Sequence, residues 1–380
     1  MKKILFVINS MEGGGAERAL AKLLNLLEGS IDLSFYEIHL ALLDDLERQQ
    51  AIPDYVKVHQ LDAKGGLYLS ITQLNSLFKQ IKPMVIVGFL TRSNCASVVI
   101  GKLHRCPVLI SERVNTSSHL GDSLSAKVNK LIVKTLYPLA SRILVVSGGV
   151  GIDLVENFRV PQEKVLTIHN AVDQAHLIKL AEEPIDQEIK GPYLCALGRL
   201  VPNKNFSMLI RAFKKANLAC ELWILGQGEL ESSLKKEAQE LGIADKVRFI
   251  GFKKNPYPYL KNCLFYVSAS NAEGFPNSMV EAMGLGKAVV ATNCESGPSE
   301  ILQECDVITI DKVKQGKYGV LTPINDEQSM KDGLELMYQI ANREHYELKS
   351  IERVKEYTPD RFKDKYWGAI VDCMELGSCG

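Results

Sequence analysis

"KILFVINSMEGGGAERALAKLLNLL", residues 3–27, holds one fold element in small. After Lys3 come five apolar residues in a row, the mark of a strand covered on both faces. Ala16, Ala19, Leu20, Leu23, Leu24 and Leu27 then fall at the i, i+3, i+4, i+7 spacing of a helix that buries one side. A glycine-rich turn joins the two. Strand, turn and helix open a βαβ unit, and the same alternation recurs along the chain, with strand candidates at 37–43, 56–61, 84–89, 107–111, 142–147 and 164–169. From 173 to 191 the chain turns polar, acidic and proline-containing without a strand, as a boundary does. A second series follows at 193–198, 221–226, 247–251, 264–270, 288–292 and 306–310. The pattern predicts two α/β halves with parallel sheets, without sequence repetition between them. The divisions expected are 1–172, a linker at 173–190, 191–357, and a closing helix at 358–380 with Phe362, Tyr366, Ile370 and Met374 along one face.

A chain of 380 residues has room for about two domains. Forty-five Lys plus Arg balance forty-five Asp plus Glu, so no global field draws the protein to nucleic acid, and any polyanion must be met locally. Nine cysteines, at 95, 106, 195, 220, 263, 294, 305, 373 and 379, include no C-x-x-C pair and read as small buried residues of a reducing cytosol. "MKKILFVINS" has too few apolar residues for a signal segment, and no run approaches the length of a spanning helix. The expectation is a cytoplasmic protein, with attachment to the inner face of a membrane left open.

Three loops carry chemistry. Gly13, Gly14 and Gly15 follow the first strand and open the first helix, where free amides and the helix dipole suit a phosphate. A plain β-to-α turn explains them as well. The dinucleotide fingerprint is excluded, because its third glycine falls on Arg18. "GRLVPNKN", 198–205, follows the first strand of the second half, and its Arg199 and Lys204 can aim a guanidinium and an ammonium at neighbouring oxygens of a diphosphate. Two solvated surface cations are the plain alternative. "EGFPNSMVE", 273–281, sets Glu273 in a loop and Glu281 about one turn into a helix, with the amides of Asn277, Ser278 and Met279 at the helix start between them. Two surface glutamates are the alternative there.

"GGGAE", "GRLVPNKN", "EGFPNSMVE", "AMGLGKAVVAT" and "GPSEIL", in this order, resemble the retaining, nucleotide-sugar-dependent glycosyltransferases of family four with the GT-B fold, over essentially the whole chain. The resemblance implies two Rossmann-like domains facing across a cleft, with the C-terminal helix crossing back to the N-terminal domain. It implies that Glu281 holds the nucleotide ribose, that Arg199 and Lys204 neutralise the departing diphosphate, and that Glu273, with amides around Gly274 and Phe275, binds the transferred sugar. Gly13, Gly14 and Gly15 would face that sugar, and the nucleobase would lie near Gly251 and Phe252. The implied donor is a hexose or N-acetylhexosamine on a nucleotide diphosphate, with UDP expected, and the implied acceptor is a glycan or polyprenyl-linked oligosaccharide. No D-x-D occurs, so no metal and no cofactor are expected. A sugar-nucleotide epimerase or hydrolase of the same shape and a non-catalytic nucleotide-sugar-binding subunit are the alternatives.

The chain departs from the pattern of the family it resembles at two places. Arg113, after Glu112, stands where many members carry His, so the pair is either an acceptor-side contact or a structural ion pair. Ala171 stands where they usually have Gly. "ESGPSEIL" tilts the donor toward N-acetylated hexosamines or galactose. Lys127, Lys130 and Lys134 share a helix face beside Leu124, Val128, Leu131 and Leu136, which either rests on anionic headgroups or is a solvated face with a buried stripe.

Overall fold

The computed structural model describes residues 1–121, 124–305 and 308–378. Its first seven strands are β1 (Lys2–Ile8), β2 (Tyr36–Leu42), β3 (Lys57–Gln60), β4 (Val85–Phe89), β5 (Val108–Glu112), β6 (Arg142–Val145) and β7 (Val165–Thr167). They form one parallel sheet in the order β3-β2-β1-β4-β5-β6-β7. The order reverses direction beside β1, which places the Gly13–Gly15 turn at the carboxyl end of the sheet's switch point, where open α/β sheets bind ligands. Ile4 through Ile8 are wholly buried, so the opening run does not alternate because neither face of β1 meets water.

The second seven strands are β8 (Tyr193–Leu197), β9 (Glu221–Leu225), β10 (Val247–Gly251), β11 (Tyr266–Ser268), β12 (Val289–Thr292), β13 (Lys314–Gln315) and β14 (Val320–Thr322). Their order is β10-β9-β8-β11-β12-β14-β13. All pair in parallel except β13, which runs antiparallel to β14 at the edge. The strand expected at 306–310 is corrected: residues 306 and 307 lie outside the described residues, and 308–310 form no strand. The place beside β12 is taken by β14, whose three residues are all buried.

These sheets belong to two units, Met1–Asn170 joined by the segment from Pro359, and Ala171–Thr358. The closing helix, Pro359–Ser378, is part of the first unit. Phe362, Tyr366, Ile370 and Met374 are all buried there. Tyr366 stacks on Phe89 of β4 at 6.1 Å, and Trp367 meets Tyr36 edge-on at 4.8 Å. Residues 173–190 are not a bare linker. Asp173 caps the helix Gln174–Leu180 by accepting from the His176 amide at 3.0 Å. Beyond it, Lys261 pairs with Glu182 at 2.6 Å, Lys253 pairs with Asp186, and the Arg248 guanidinium donates to Gln187 at 2.9 Å. The polar composition that suggests a tether is a set of ties to the second unit.

Among the described residues no helix is long and apolar enough to cross a membrane. Eight cysteines are free thiols, six of them buried. Cys379 lies outside the described residues.

Candidate functional site

In the second unit the loops at the carboxyl ends of neighbouring strands are knitted together. The Gly198 amide donates to the Leu225 carbonyl at 3.0 Å, the Leu200 amide to Gln227 at 3.0 Å, and the Gly226 amide to Gly251 at 2.9 Å. Gly226 has φ +135°, and a Cβ there would come within 1.9 Å of the Gly198 carbonyl oxygen. A Cβ on Gly228 would lie 2.4 Å from the Leu200 oxygen. Only glycine lets the loop after β9 lie flat against "GRL". Neither residue was among the sequence candidates. The sign of them is the G-x-G directly after an apolar strand, which is too common in turns to stand out alone.

The turn Pro202–Lys204 ends at Asn205 in the left-handed region, and from there two motifs nearly seventy residues apart are sewn together. The Asn203 side chain donates to the Ala272 carbonyl at 2.8 Å, and the Asn271 amide returns a bond to the Asn203 carbonyl at 2.8 Å. The Asn205 amide group donates to Asn271 at 3.1 Å and to Asn325 at 2.9 Å. Lys204 Nζ then meets Glu273 Oε1 at 2.5 Å, with both side chains largely shielded from water. Beneath the pair lies buried Cys294, whose thiol is pushed up to about 12, chiefly by burial and further by the Glu273 charge. Arg199 is exposed, and among the described residues its guanidinium makes no hydrogen bond or ion pair. The structure thus brings Lys204 and Glu273 into contact, which sequence spacing alone does not predict.

After Glu273 and Gly274 the chain turns inward. Phe275 is buried edge-on to Tyr357 at 5.6 Å. Gly297, at φ +95°, presses against Pro276; a Cβ would stand 2.5 Å from the proline Cδ, so "SGP" and "EGFPN" share one close contact. The helix Asn277–Gly284 begins there. Of its first three amides, that of Asn277 donates to the Phe275 carbonyl at 2.9 Å and that of Met279 to Pro276 at 3.0 Å. The expectation that all three face a ligand is therefore corrected: the turn consumes two, and the Met279 side chain is fully buried. The Ser278 amide has no acceptor among the described residues and is the outward donor. The Ser278 hydroxyl shares a 2.8 Å hydrogen bond with Tyr266. Tyr266 titrates well above its ordinary range, mainly from burial, with Glu273 and Glu281 both adding to the shift. That phenol therefore lies near both carboxylates. Glu281 sits one turn into the helix, half-buried. Gly251, at φ +79°, and Phe252, 67% exposed, close the row at the end of β10.

In the first unit, Gly13–Gly15 are exposed and none has positive φ. What crowds them is the tips of two flexible side chains. A Cβ on Gly14 would lie 2.1 Å from a Glu17 carboxylate oxygen, and one on Gly13 would lie 2.7 Å from Gln49 Oε1. Glu17 folded over the start of the helix Gly15–Leu27 makes this turn a poor cradle for phosphate, because the two anions repel.

Glu112 and Arg113 are buried, at 0% and 8% exposure. The Glu112 carboxylate accepts from the Tyr137 hydroxyl at 2.5 Å and from the Arg113 amide at 3.0 Å, while burial pushes its carboxyl up. Arg113 donates to the Tyr366 hydroxyl at 2.8 Å and also to Asn170. These groups are spent on the framework of the first unit, so the acceptor-side assignment is corrected. In the helix Leu124–Leu136, Lys127 is exposed and Lys130 and Lys134 are half-buried. A buried stripe of Val128 and Leu131 does not exist: they are 53% and 65% exposed, and Ala126 and Val133 face inward instead.

Two α/β sheets with charged loops gathered at their strand ends fit the GT-B fold, and the family matches make the class that of the glycosyltransferases. Residues 13–176 match Glycosyltransferase Family 4, and residues 181–347 match Glycosyl transferases group 1. A Campylobacter jejuni protein named N-acetylgalactosamine-N,N'-diacetylbacillosaminyl-diphospho-undecaprenol 4-alpha-N-acetylgalactosaminyltransferase is 30% identical over 370 residues, which is 94% of this chain and 96% of that one. HepE of Anabaena, solved in complex with UDP, has a TM-score of 0.76 at 18% identity, covering 98% of this chain and 100% of that one. The lipopolysaccharide outer core galactosyltransferase WaaB, in its apo form, has a TM-score of 0.75 at 17% identity, covering 97% and 99%. The chain belongs to the family-four glycosyltransferases.

Proposed function

We propose that this enzyme is a retaining, metal-independent transferase that moves a hexose or N-acetylhexosamine from a UDP-linked donor to a glycan or polyprenyl-linked oligosaccharide. The observation that carries the reading is the contact of Lys204 with Glu273, which holds a cation and a carboxylate side by side at the carboxyl ends of a parallel sheet. Breaking the glycosyl phosphate bond builds negative charge on the diphosphate and oxocarbenium character on the sugar. Groups already in place for that charge lower the barrier. Arg199, Lys204 and the Ser278 amide are those groups here. Glu273 is paired through one oxygen and keeps lone pairs for a sugar hydroxyl, and Glu281 takes the ribose diol. Gly274 and Phe275 shape the sugar's seat, Gly251 and Phe252 the base's, and Gly13–Gly15 offer contacts to sugar hydroxyls rather than to phosphate. No side chain is assigned as general base: retention lets the departing phosphate oxygen take the acceptor proton.

Metal independence is supported by the lack of a D-x-D. The N-acetylhexosamine preference is supported by "ESGPSEIL" and by the name of the Campylobacter relative, whose acceptor is a diphospho-undecaprenol. An acceptor of that kind favours work at the cytoplasmic face of a membrane, and the exposed Val128 and Leu131 among Lys127, Lys130 and Lys134 are chemically suited to that surface.

The test is a thermal-shift and turnover screen of UDP-, GDP- and ADP-sugars with a chelator present. A UDP-sugar near a hundred times its Kd is expected to stabilise the protein by about 2.7 kcal/mol. A strict metal requirement, or stabilisation by another nucleotide class, defeats the proposal in that respect.

A further inference from the structure

A cavity of about 310 Å³ opens at the amino ends of β5 and β6, the opposite edge of the first sheet from Gly13–Gly15. Lys102, Arg105 and Ser141 supply its polar wall, and Val98, Leu139 and Leu376 its apolar one. The floor depends on Gly101, where a Cβ would stand 2.0 Å from Val108 Cγ2; the helix Thr91–His104 is thereby pressed onto β5. That helix ends at Arg105, held at φ +53°, which turns the chain sharply at the rim. Two further cations brace the wall. Lys164 Nζ donates to the carbonyls of Pro138 and Ala140, at 2.6 and 3.0 Å, on either side of Leu139. The Arg142 guanidinium donates to the Ser141 carbonyl at 3.3 Å.

Among the described residues none of these four cations makes an ion pair with a carboxylate, although twenty Lys or Arg pairs occur elsewhere. They also feel one another: Lys164 is held below its ordinary range first by burial and next by Lys102, with Arg142 adding, and Glu163 only partly opposes them. Like charges gathered in a concave site, with Glu163 only partly offsetting them, cost free energy that a bound anion returns. Leu139 and Leu376 remain 43% and 50% exposed, which suits a ligand carrying carbon as well as charge.

We propose that this cavity binds a phosphate ester through Lys102 and Arg105, with its carbon portion against Leu139 and Leu376, at a site separate from the donor residues. The ester is either a small soluble metabolite or the headgroup of an anionic phospholipid, and one experiment tells them apart. Glycerol 3-phosphate is titrated calorimetrically, and flotation is measured with phosphatidylcholine vesicles with and without phosphatidylglycerol. Wild type is compared with Lys102→Gln/Arg105→Asn, in which Asn keeps the left-handed turn open to a residue with a side chain. A Lys235→Gln/Lys236→Gln pair on the second unit controls for net charge.

The expected result is at least about a tenfold loss of affinity in the cavity variant for one probe, since two charge-assisted contacts are removed. UDP-sugar binding should be the same in all three proteins, which separates this outcome from any failure of the donor assignment. A loss confined to glycerol 3-phosphate identifies a soluble ligand, and a loss in the phosphatidylglycerol vesicles identifies a lipid. Equal binding of both probes by wild type and cavity variant, or an equal loss in the control pair, overturns the proposal.

Discussion

A Cβ on Gly226 would lie 3.7 Å from the Arg199 amide nitrogen, yet the two residues stand at opposite ends of the stability scale. Gly226 combines φ +135° with a carbonyl in the space of its missing Cβ. Gly226→Ala should therefore cost at least about 2 kcal/mol in urea denaturation, from strain and overlap together. Donor affinity should fall with it, because the loop carrying Arg199 must move. Arg199 is exposed, and among the described residues its side chain makes no hydrogen bond or ion pair. Arg199→Ala should leave the urea midpoint within about 0.5 kcal/mol of wild type while turnover falls roughly a hundredfold or more. Equal losses in both measurements would make Arg199 structural. At this scale the sequence singles out charged residues in three loops but not whom they touch. The contact of Lys204 with Glu273 depends on three asparagines, Asn203, Asn205 and Asn271, whose bonds cross between loops and leave no periodic trace. The buried network of Glu112 was equally hidden, because a carboxylate after a strand reads the same whether it points to solvent or to Tyr137.

Strands were the most legible elements. Every candidate of the first sheet forms, because β-branched runs of four to seven residues between turn signals have few other uses. The miss, β13 and β14, concerns strands of two and three residues. Segments so short carry no measurable period, and Val320–Thr322 becomes a strand only because β12 offers it a ladder. The helix Leu124–Leu136 misled differently: its apolar residues have helical spacing on both sides, and only packing tells which side is inward. At the outer edge of the first sheet, β2 and β3 carry a paired-imidazole element. His39 Nδ1 lies 2.9 Å from His59 Nε2, and His39 Nε2 lies 2.9 Å from Glu37. One ring donates to the other across the His39–His59 contact, while buried His39 Nε2 lies close to Glu37 without a hydrogen bond among the described residues. Burial lowers both pKa values, helped at His59 by Lys57 and opposed at His39 by Glu37. The unfolded chain therefore binds more protons than the folded one below about pH 6.5. The stabilisation is present above that pH and drains away as pH falls toward the depressed folded values. The urea midpoint should drop between about pH 6.5 and 5, and His59→Gln should flatten that slope; an unchanged slope would show the pair to be thermodynamically silent.

The molecule as a whole was read correctly as two α/β halves, and the fate of 173–190 was not, since an acidic stretch looks alike as a tether and as a strap of ion pairs. The closing helix gives the test at this scale. Phe362, Tyr366, Ile370 and Met374 bury completely or nearly so, and at about 2 kcal/mol each they rival the entire stability of an ordinary domain. A chain ending at Thr358 should show one calorimetric transition, that of residues 171–358, with the first unit unfolded. Two intact transitions would mean the helix is ornamental.

The same helix sets a timetable for synthesis. Residues 1–170 leave the ribosome long before the segment that completes their core, and at roughly 5–20 residues per second the wait lasts on the order of 10–40 s. During that interval the nascent amino-terminal half carries an open hydrophobic seam over β4, an invitation to chaperones. A message broken between the codons for residues 170 and 359 would consequently yield a product whose earliest-made part never matures, and proteolysis would remove it.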